Sequence, residues 1–256
     1  MPKIRGKDRK MLNEERLNQI AQEYHQADMK DMYIENMGQF YELPWIHSQI
    51  PKGSRILDLG YGDGLVFDSL LDFAETHSCS VTMIEGSGKL VEQAKEHAKG
   101  RAKVEHSFFE TYNPYDKFDV VLASHVLEHV DNPVSLLNHL ATICNNGAKI
   151  VGLVPNSESI HRRLAVLMGL QPFLDSLSPR DHMVGHQRVY SVASLTHDFA
   201  NSPWNLIESR GFFLKPLANS QLLNFDQSLI SALLKISDDL PTELCANIAF
   251  SAELNG

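Results

Sequence analysis

A glycine-rich turn after a short apolar strand constrains this sequence more than any other feature. Residues 56–59 predict a strand, and the amphipathic run over residues 65–73 predicts the helix that follows it. Between them, glycine occupies every second position: Gly60, Gly62 and Gly64. Such a unit is typical of doubly wound α/β proteins, where the backbone approaches a ligand closely and side chains would obstruct it. We expect the Asp58 carboxylate, at the end of the strand, to face the ligand crevice rather than the core.

The spacing of these glycines separates two kinds of cofactor. The dinucleotide fingerprint G-x-G-x-x-G, begun at Gly60 and Gly62, needs a third glycine at position 65 so that helix and strand pack closely. Leu65 stands there instead. The turn is therefore not suited to a pyrophosphate, which disfavours an NAD-dependent or nucleotide-sugar oxidoreductase. A glycine turn without any ligand is the remaining alternative for this motif alone.

The composition limits the class of protein. With 256 residues, of which 43% are hydrophobic, the chain can bury one large core. The net charge of −9 argues against nucleic acid or an anionic membrane as the main partner. The three cysteines are odd in number and far apart, so neither disulfides nor a zinc pattern is predicted. No stretch has the length of a membrane span, and residues 1–10 lack the apolar region of a signal peptide, so we expect a cytoplasmic protein without membrane insertion.

Strand and helix signals alternate along the rest of the chain. Further strands are predicted at residues 80–85, 102–106, 118–124, 148–154, 212–217 and 246–253. Helices are predicted at residues 12–50, 87–99, 134–144, 159–170, 191–200, 203–209 and 225–236, and a turn at residues 145–147. This alternation indicates a mainly parallel, doubly wound sheet.

Three features together resemble the class I S-adenosylmethionine (SAM)-dependent methyltransferases. They are the D-x-G-x-G-x-G turn of residues 58–64, the acidic end of the second strand at Glu85, and the string Ser-His-Val-Leu-Glu-His-Val at residues 124–130. The string looks like the small-molecule group that includes ubiquinone-biosynthesis-like and type 11, 12 and 23 methyltransferases. The resemblance implies a Rossmann-like sheet of seven strands, six parallel and the last antiparallel, with SAM as cofactor and S-adenosylhomocysteine (SAH) as product.

The resemblance also implies a set of cofactor-binding residues. Glu85 lies 27 residues after Asp58, where family members have an acidic residue that binds both ribose hydroxyls. Phe108 and Phe109 stand where an acidic and a small residue are usual, so we expect stacking on adenine, or a polar contact from Glu110. The full predicted set is Asp58, Gly60, Tyr61, Gly62, Gly64, Glu85, Gly86, Phe108, Phe109, Glu110 and Ser124.

The predicted organisation has two parts. Residues 1–52 form an N-terminal helical cap, and residues 53–256 form the methyltransferase domain, with an insertion after strand 5 at about residues 156–190. We expect Pro44 to interrupt the second helix of the cap. The cap is either a layer over the core or a lid over the active site, as in many members of the resembled family. In the second case Tyr24, Tyr33 and Phe40 are candidate ligand contacts, and the two tyrosines are the predicted substrate contacts.

The segment after the fourth strand contains a motif that invites a different interpretation. His125, Glu128 and His129 spell H-x-x-E-H, the inverted zinc-peptidase motif, which needs a helix that carries both histidines on one face. Here the segment follows a strand directly and Pro133 soon restarts a helix, so we predict a loop and no metal site. In the resembled family this edge faces the transferred methyl group. His125 and His129 are therefore candidates for a general base, or else they bond the loop backbone.

The insertion gathers positive charge within an acidic chain. A cluster over the crevice would suit an acceptor with a carboxylate or phosphate. The predicted substrate-binding residues are Arg162, Arg180, His186 and Arg188, besides the two tyrosines, and His182 is a third candidate base. Two alternatives remain open: ordinary salt bridges to nearby acidic residues such as Asp181, and a structural role in which Arg188 ties the insertion down.

The sequence therefore predicts a SAM-dependent methyltransferase acting on a small molecule, with O-methylation of an anionic acceptor favoured by the histidines near the crevice. N-methylation of a small amine and a catalytically silent SAM-binding protein are the alternatives. A monomer and a homodimer are equally compatible with the sequence.

Overall fold

A single seven-stranded sheet forms the centre of the protein. The computed structural model describes residues 14–22 and 29–255. The strand order is β3-β2-β1-β4-β5-β7-β6, and β7 runs antiparallel to both β5 and β6. The strands are β1 (Arg55–Leu59), β2 (Ser80–Glu85), β3 (Lys103–His106), β4 (Phe118–Ser124), β5 (Cys144–Pro155), β6 (Trp204–Phe212) and β7 (Asn247–Leu254). This topology confirms the predicted fold class.

Helices cover both faces of the sheet. In the described residues the helices are α1 (residues 14–22), α2 (Met29–Ser48), α3 (Leu65–His77), α4 (Gly88–Ala98), α5 (Pro133–Thr142), α6 (Ile160–Leu167), α7 (Pro179–Met183), α8 (Val192–Ala200), α9 (Asn219–Leu222) and α10 (Gln227–Lys235). Several begin where a polar side chain caps the first turn: Ser87 accepts from the Leu90 N–H, and Asn132 accepts from the Ser135 N–H.

The central strands are apolar because both of their faces are buried. In β1, Leu57 packs into a core cluster with Leu136 of α5, whereas Ile56 packs into the opposite cluster with Leu70 of α3. Successive residues of a strand point to opposite faces, so a strand between two helical layers needs an apolar side chain at nearly every position. The exceptions within β1 are Arg55, half-buried at its start, and Asp58, which is buried and lies at the functional edge.

The prediction for residues 203–217 was wrong. Residues 204–209 were predicted to be helical and residues 212–217 to be a strand, but β6 begins at Trp204 and ends at Phe212. β6 pairs with β7 along its whole length, from Trp204 opposite Leu254 to Phe212 opposite Asn247. Pairing with a strand about 40 residues away decides the structure here, and local apolar spacing does not reveal such a partner.

Two further local predictions need correction. The predicted turn at residues 145–147 lies inside β5, where the register against β4 shifts between Phe118 and Val120, so the turn-like residues form a bulge. Pro44 does not interrupt α2, which continues to Ser48. Pro44 and Phe40 are both exposed, so water can satisfy the carbonyl that the proline leaves without a donor.

The strand order places a crevice at one edge of the sheet. The order reverses between β1 and β4, and ligands of open α/β sheets bind outside the carboxyl ends of the strands at such a switch point. Helix α2 packs beside this edge, with Trp45 edge-on to Phe212 at 5.9 Å between ring centroids. Among the described residues, no helix combines the length and apolar character that a bilayer crossing requires.

Candidate functional site

A cavity of about 910 Å³ lies at the carboxyl ends of β1, β2, β4 and β5. Its lining includes the glycine turn, the segment after β3 and the segment after β4. Helices α1 and α2 contribute Leu17, Ile20, Glu35 and Glu42, and the insertion contributes residues of α6 and α7. Its size is at the upper end of the range for ligand pockets, about 300–1,000 Å³, which leaves space for a cofactor and a second small molecule.

The glycine turn is held against the end of β2. The Gly60 N–H donates to the Ile84 carbonyl at 2.9 Å, and the Tyr61 N–H donates to Glu85 Oε2 at 3.0 Å. Gly60 and Gly62 both have positive φ, of 85° and 57°, a conformation that L side chains rarely adopt. The turn therefore presents bare backbone to the cavity.

Gly64 has another function in the fold. It does not line the cavity; it caps the start of α3 with φ of 85°, and a Cβ there would lie 2.7 Å from Tyr61 Oη. The Tyr61 hydroxyl in turn lies 3.0 Å from His97 Nδ1, on the far side of the turn. Gly64 thus makes room for the tyrosine ring, although the sequence predicted it among the ligand contacts.

Two buried carboxyl groups face the cavity from the ends of β1 and β2. Glu85 also accepts from the Ser87 N–H at 2.7 Å, and burial raises its pKa despite these bonds. Asp58 has no hydrogen-bond partner among the described residues, and burial raises its pKa to about 7. A cationic ligand group would stabilise the charged form of Asp58.

The cavity wall beside the glycine turn contains two aromatic rings. Phe108, Phe109 and Glu110 line the cavity, and the Phe109 ring would lie 3.6 Å from a Cβ at Gly60. Leu17 of α1 packs over Gly86, where an added Cβ would meet it at 2.6 Å. Helix α1 therefore covers the part of the cavity next to the glycine turn.

A hydrogen-bonded histidine and carboxylate follow β4. His125 Nδ1 lies 3.1 Å from Glu128 Oε1, and Glu128 has no exposed surface. Burial by itself lowers the pKa of His125, but Glu128 and the more distant Glu42 and Glu35 together raise it to about 9. His125 has a positive φ of 54°, an uncommon conformation that places its side chain on the cavity wall.

Other histidines gather around the same carboxylate. Ligand atoms of Glu128, His129 and His186 all lie within 4.8 Å of one another, close enough to surround a metal ion. His186 Nδ1 bonds Asp181 Oδ1 at 2.8 Å, and Glu128 Oε2 is buried with no hydrogen-bond partner in the part of the chain that the structure describes. Burial lowers the pKa of His129 to about 4, so that ring is neutral. The sequence predicted no metal here because the H-x-x-E-H segment follows a strand directly and forms a loop. The fold brings His186 to this loop, and the absence of a metal stays a prediction.

Comparison with known proteins identifies the family. A family model described as a methyltransferase domain matches residues 33–209. The chain belongs to this methyltransferase family. A ubiquinone biosynthesis O-methyltransferase of Coxiella burnetii is 25% identical to it over 211 residues, which cover 78% of this chain and 84% of that protein.

Solved structures show the same fold. A SAM-dependent methyltransferase from Mesorhizobium loti gives a TM-score of 0.59 at 16% identity, covering 83% of this chain and 97% of the other. A SAM-dependent methyltransferase from Aquifex aeolicus gives 0.53 at 13% identity, covering 86% and 89%. The protein is a class I SAM-dependent methyltransferase, and SAM is its cofactor.

The wall of this methyltransferase cavity fits SAM in chemical character. Bare backbone at Gly60, an unpartnered carboxyl at Asp58 and an acceptor at Glu85 match a ligand that has a cationic amino group and a ribose diol. Of the eleven predicted cofactor residues, all except Gly64 line the cavity. Their individual roles stay predictions.

The predicted cationic residues of the methyltransferase are mostly paired. Arg162 binds Asp181 at 2.8 Å, and Arg180 binds Glu35 through two bonds of 2.9 and 2.7 Å. Arg188 does not line the cavity, because its guanidinium donates to the carbonyls of Leu127, Val130 and Asp131. The structural role of Arg188 that the sequence left open is therefore the one its contacts support.

Three other predicted residues do not reach the cavity or cannot be placed. His182 is exposed on α7 and does not line the cavity, so its predicted catalytic role has no geometric support. Tyr33 is 46% exposed and does not line it either. Tyr24 lies outside the described residues.

Sequence reasoning missed several polar residues of the methyltransferase cavity. Glu35 and Glu42 lie seven residues apart on α2, two helical turns, and this spacing among apolar residues was the available signal. Lys215 follows β6 and lines the cavity as well. It belongs to no recognisable motif, so only the fold brings it to the site.

Proposed function

We propose that this methyltransferase transfers the methyl group of SAM to an oxygen atom of a small molecule that carries an anionic group. The observation that carries the proposal is the hydrogen-bonded pair of His125 and buried Glu128, on the wall of the same cavity as the glycine turn. An oxygen nucleophile must lose its proton during methylation, whereas a neutral amine attacks through its lone pair. A paired histidine is useful in the first reaction and unnecessary in the second.

SAM supplies a methyl group on a sulfonium, already a good leaving group, so the protein mainly has to align the acceptor. Glu128 accepts from Nδ1 of His125 and leaves Nε2 for a ligand in the cavity. In its neutral form, His125 takes the proton of the acceptor hydroxyl at Nε2, and Glu128 stabilises the imidazolium that forms. Because the pKa of His125 is about 9, this neutral form is the minor one at pH 7.

Two observations support a small anionic acceptor. The cavity is lined by residues of α1, α2 and the insertion, and a volume of about 910 Å³ suits a small molecule beside the cofactor. The wall formed by α6, α7 and the segment after β6 contains Arg162, Arg180 and Lys215. The Coxiella burnetii relative is named as an O-methyltransferase, in agreement with an oxygen acceptor.

The test is a methyl-transfer assay that measures SAH formation. We expect turnover with hydroxybenzoates, which pair an oxygen nucleophile with a carboxylate, and none with the matching aminobenzoates. Turnover of the aminobenzoates alone would replace O-methylation by N-methylation. A His125→Ala variant separates the two further, since only oxygen acceptors need the base.

A further inference from the structure

Lys215 is a cation of the cavity wall that no carboxylate among the described residues pairs with. Lys215, on the segment after β6, lines the cavity, and no described residue forms a hydrogen bond or ion pair with its ammonium group. The charged groups that act on it are Glu35 from α2, Arg162 from α6, and Arg180 and Asp181 from α7. Neutral His161 of α6 also adjoins it.

The charges of this cluster do not cancel. Arg162 binds Asp181 at 2.8 Å, and Arg180 forms a two-bond pair with Glu35. Two arginines thus satisfy two carboxylates, which leaves the single positive charge of Lys215. Lys215 is half-buried, and a charge that loses part of its hydration without gaining a partner is costly, so such a charge at a cavity wall indicates a ligand of opposite charge.

His161 is a second polar residue of this wall without a partner. Among the described residues, none forms a hydrogen bond with its buried Nδ1, and burial, together with Lys215 and Arg162, lowers the pKa of His161 to about 3. The ring is therefore neutral and has one N–H to donate. The Lys215 ammonium and this N–H can both donate to an anion, whereas the ammonium repels a cation.

We propose that Lys215 and His161 form the anion subsite of the acceptor pocket and bind a single negative charge, of the carboxylate class, at the opposite side of the cavity from the glycine turn. This inference rests on the proposed function, since it assumes that the second ligand of the cavity is the acceptor. It reassigns the anion contact from the arginines that the sequence indicated. Arg162 and Arg180 instead pair with carboxylates of the cavity wall. The net charge of the cluster favours a monoanion over a dianion.

The experiment compares two probes that differ by one carboxylate, 3,4-dihydroxybenzoate and catechol, by calorimetric titration of the full chain saturated with SAH. We expect wild type to bind dihydroxybenzoate about 10- to 100-fold more tightly, as one charge-assisted contact provides. Lys215→Met should remove this preference, and Lys215→Arg should keep much of it. Lys52→Met is the matched control, because Lys52 is exposed in the turn before β1, at the opposite edge of the sheet.

A pH series adds a readout that a purely structural lysine would not move. Burial lowers the pKa of Lys215 to about 8, so the carboxylate preference of wild type should fall as the pH rises through that value. In Lys215→Arg it should persist, because arginine stays charged. Equal binding of the two probes by wild type, including no binding of either, overturns the subsite, and so does a preference that survives Lys215→Met.

The same probes distinguish failure of the subsite from failure of the proposed function. Methylation of both catechols without a carboxylate preference would retain O-methylation and reject the subsite. A carboxylate preference in binding that Lys215→Met removes, with methyl transfer only to amines, would retain the subsite and reject O-methylation. Unchanged SAH affinity in every variant confirms that the cofactor half of the cavity is intact.

Discussion

His125 Nδ1 lies 3.1 Å from Glu128 Oε1, and this bond raises the pKa of His125 although burial opposes it. The pair couples the end of the fourth strand to a carboxylate with no exposed surface. A histidine with the usual pKa of about 6.5 is mostly neutral at pH 7 and can therefore act as a base. In this methyltransferase the same residue is mostly charged at pH 7, and its activity as a base grows as the pH rises.

The first prediction follows from the raised pKa of His125. Only neutral His125 accepts a proton, so kcat for an oxygen acceptor should increase about tenfold per pH unit below about 9 and then level off. Glu128→Gln should move the rise to lower pH, because the amide keeps the hydrogen bond and removes the charge that raises the pKa of His125. The measurement is kcat against pH. A profile that is flat from pH 6 to 9, or one that Glu128→Gln does not shift, excludes His125 as the base.

Substitution of the histidines tests the same site in another way. We expect His125→Ala to lower kcat by about 10²-fold or more, with SAH affinity unchanged. His182→Ala is the control: this residue is exposed and outside the cavity lining, so kcat should stay close to wild type. Loss of activity in the His182 variant alone would restore the assignment that the sequence made.

Glu85 gives a prediction about the cofactor. Its carboxylate oxygens face the cavity and also hold the Tyr61 and Ser87 N–H groups. Glu85→Ala should therefore weaken SAH binding by about 1–3 kcal/mol, through lost ribose contacts and a looser turn. Titration calorimetry measures the change, with Glu92→Gln on the exposed face of α4 as control and NAD as a ligand that should not bind. Normal SAH affinity in Glu85→Ala would place the ribose elsewhere.

Metal dependence gives a further prediction. We expect a chelator to leave activity intact, because Glu128 already pairs with a charged His125 that would repel a cation. The rings of His129 and His186 lie close enough to Glu128 to bind a metal ion with it, and this arrangement defines the opposite result. Stoichiometric metal in the purified protein, loss of activity on chelation, and loss of the metal in His186→Ala would together assign a metal centre to this cluster.

Arg188 yields a prediction about stability. Its guanidinium donates to three carbonyls of the segment between β4 and α5, those of Leu127, Val130 and Asp131. Arg188→Met removes this donor from the Val130 and Asp131 carbonyls and leaves Leu127 with only the Tyr190 hydroxyl at 3.5 Å, so it should lower the free energy of unfolding by about 1–3 kcal/mol. Denaturant unfolding measures the loss, and Arg163→Met is a matched control with a less extensive set of contacts. A raised acceptor KM without loss of stability would favour a substrate contact instead.

The sequence alone determined the sheet and the half of the cavity next to the glycine turn. Glycines at every second position, an acidic residue at the end of β2 and apolar runs with strand periodicity are local signals, because each reflects what the backbone does within a few residues. The bounds of β2 and β4 follow from such signals, and the parallel order with an antiparallel last strand follows from the family resemblance. Where a distant partner decides the structure, as β7 does for β6, local spacing failed.

The acceptor half of the cavity was decided by the tertiary structure. Whether an arginine is available to a ligand depends on which carboxylate the fold brings to it, and Glu35 reaches Arg180 from 145 residues away. Lys215 and His161 carry no motif, yet both line the cavity, and neither the Lys215 ammonium nor His161 Nδ1 has a partner among the described residues. The pKa of His125 likewise depends on burial and on neighbouring charges, which exist only in the folded chain. Residue types are written in the sequence, whereas pairing, burial and charge balance arise when distant segments meet.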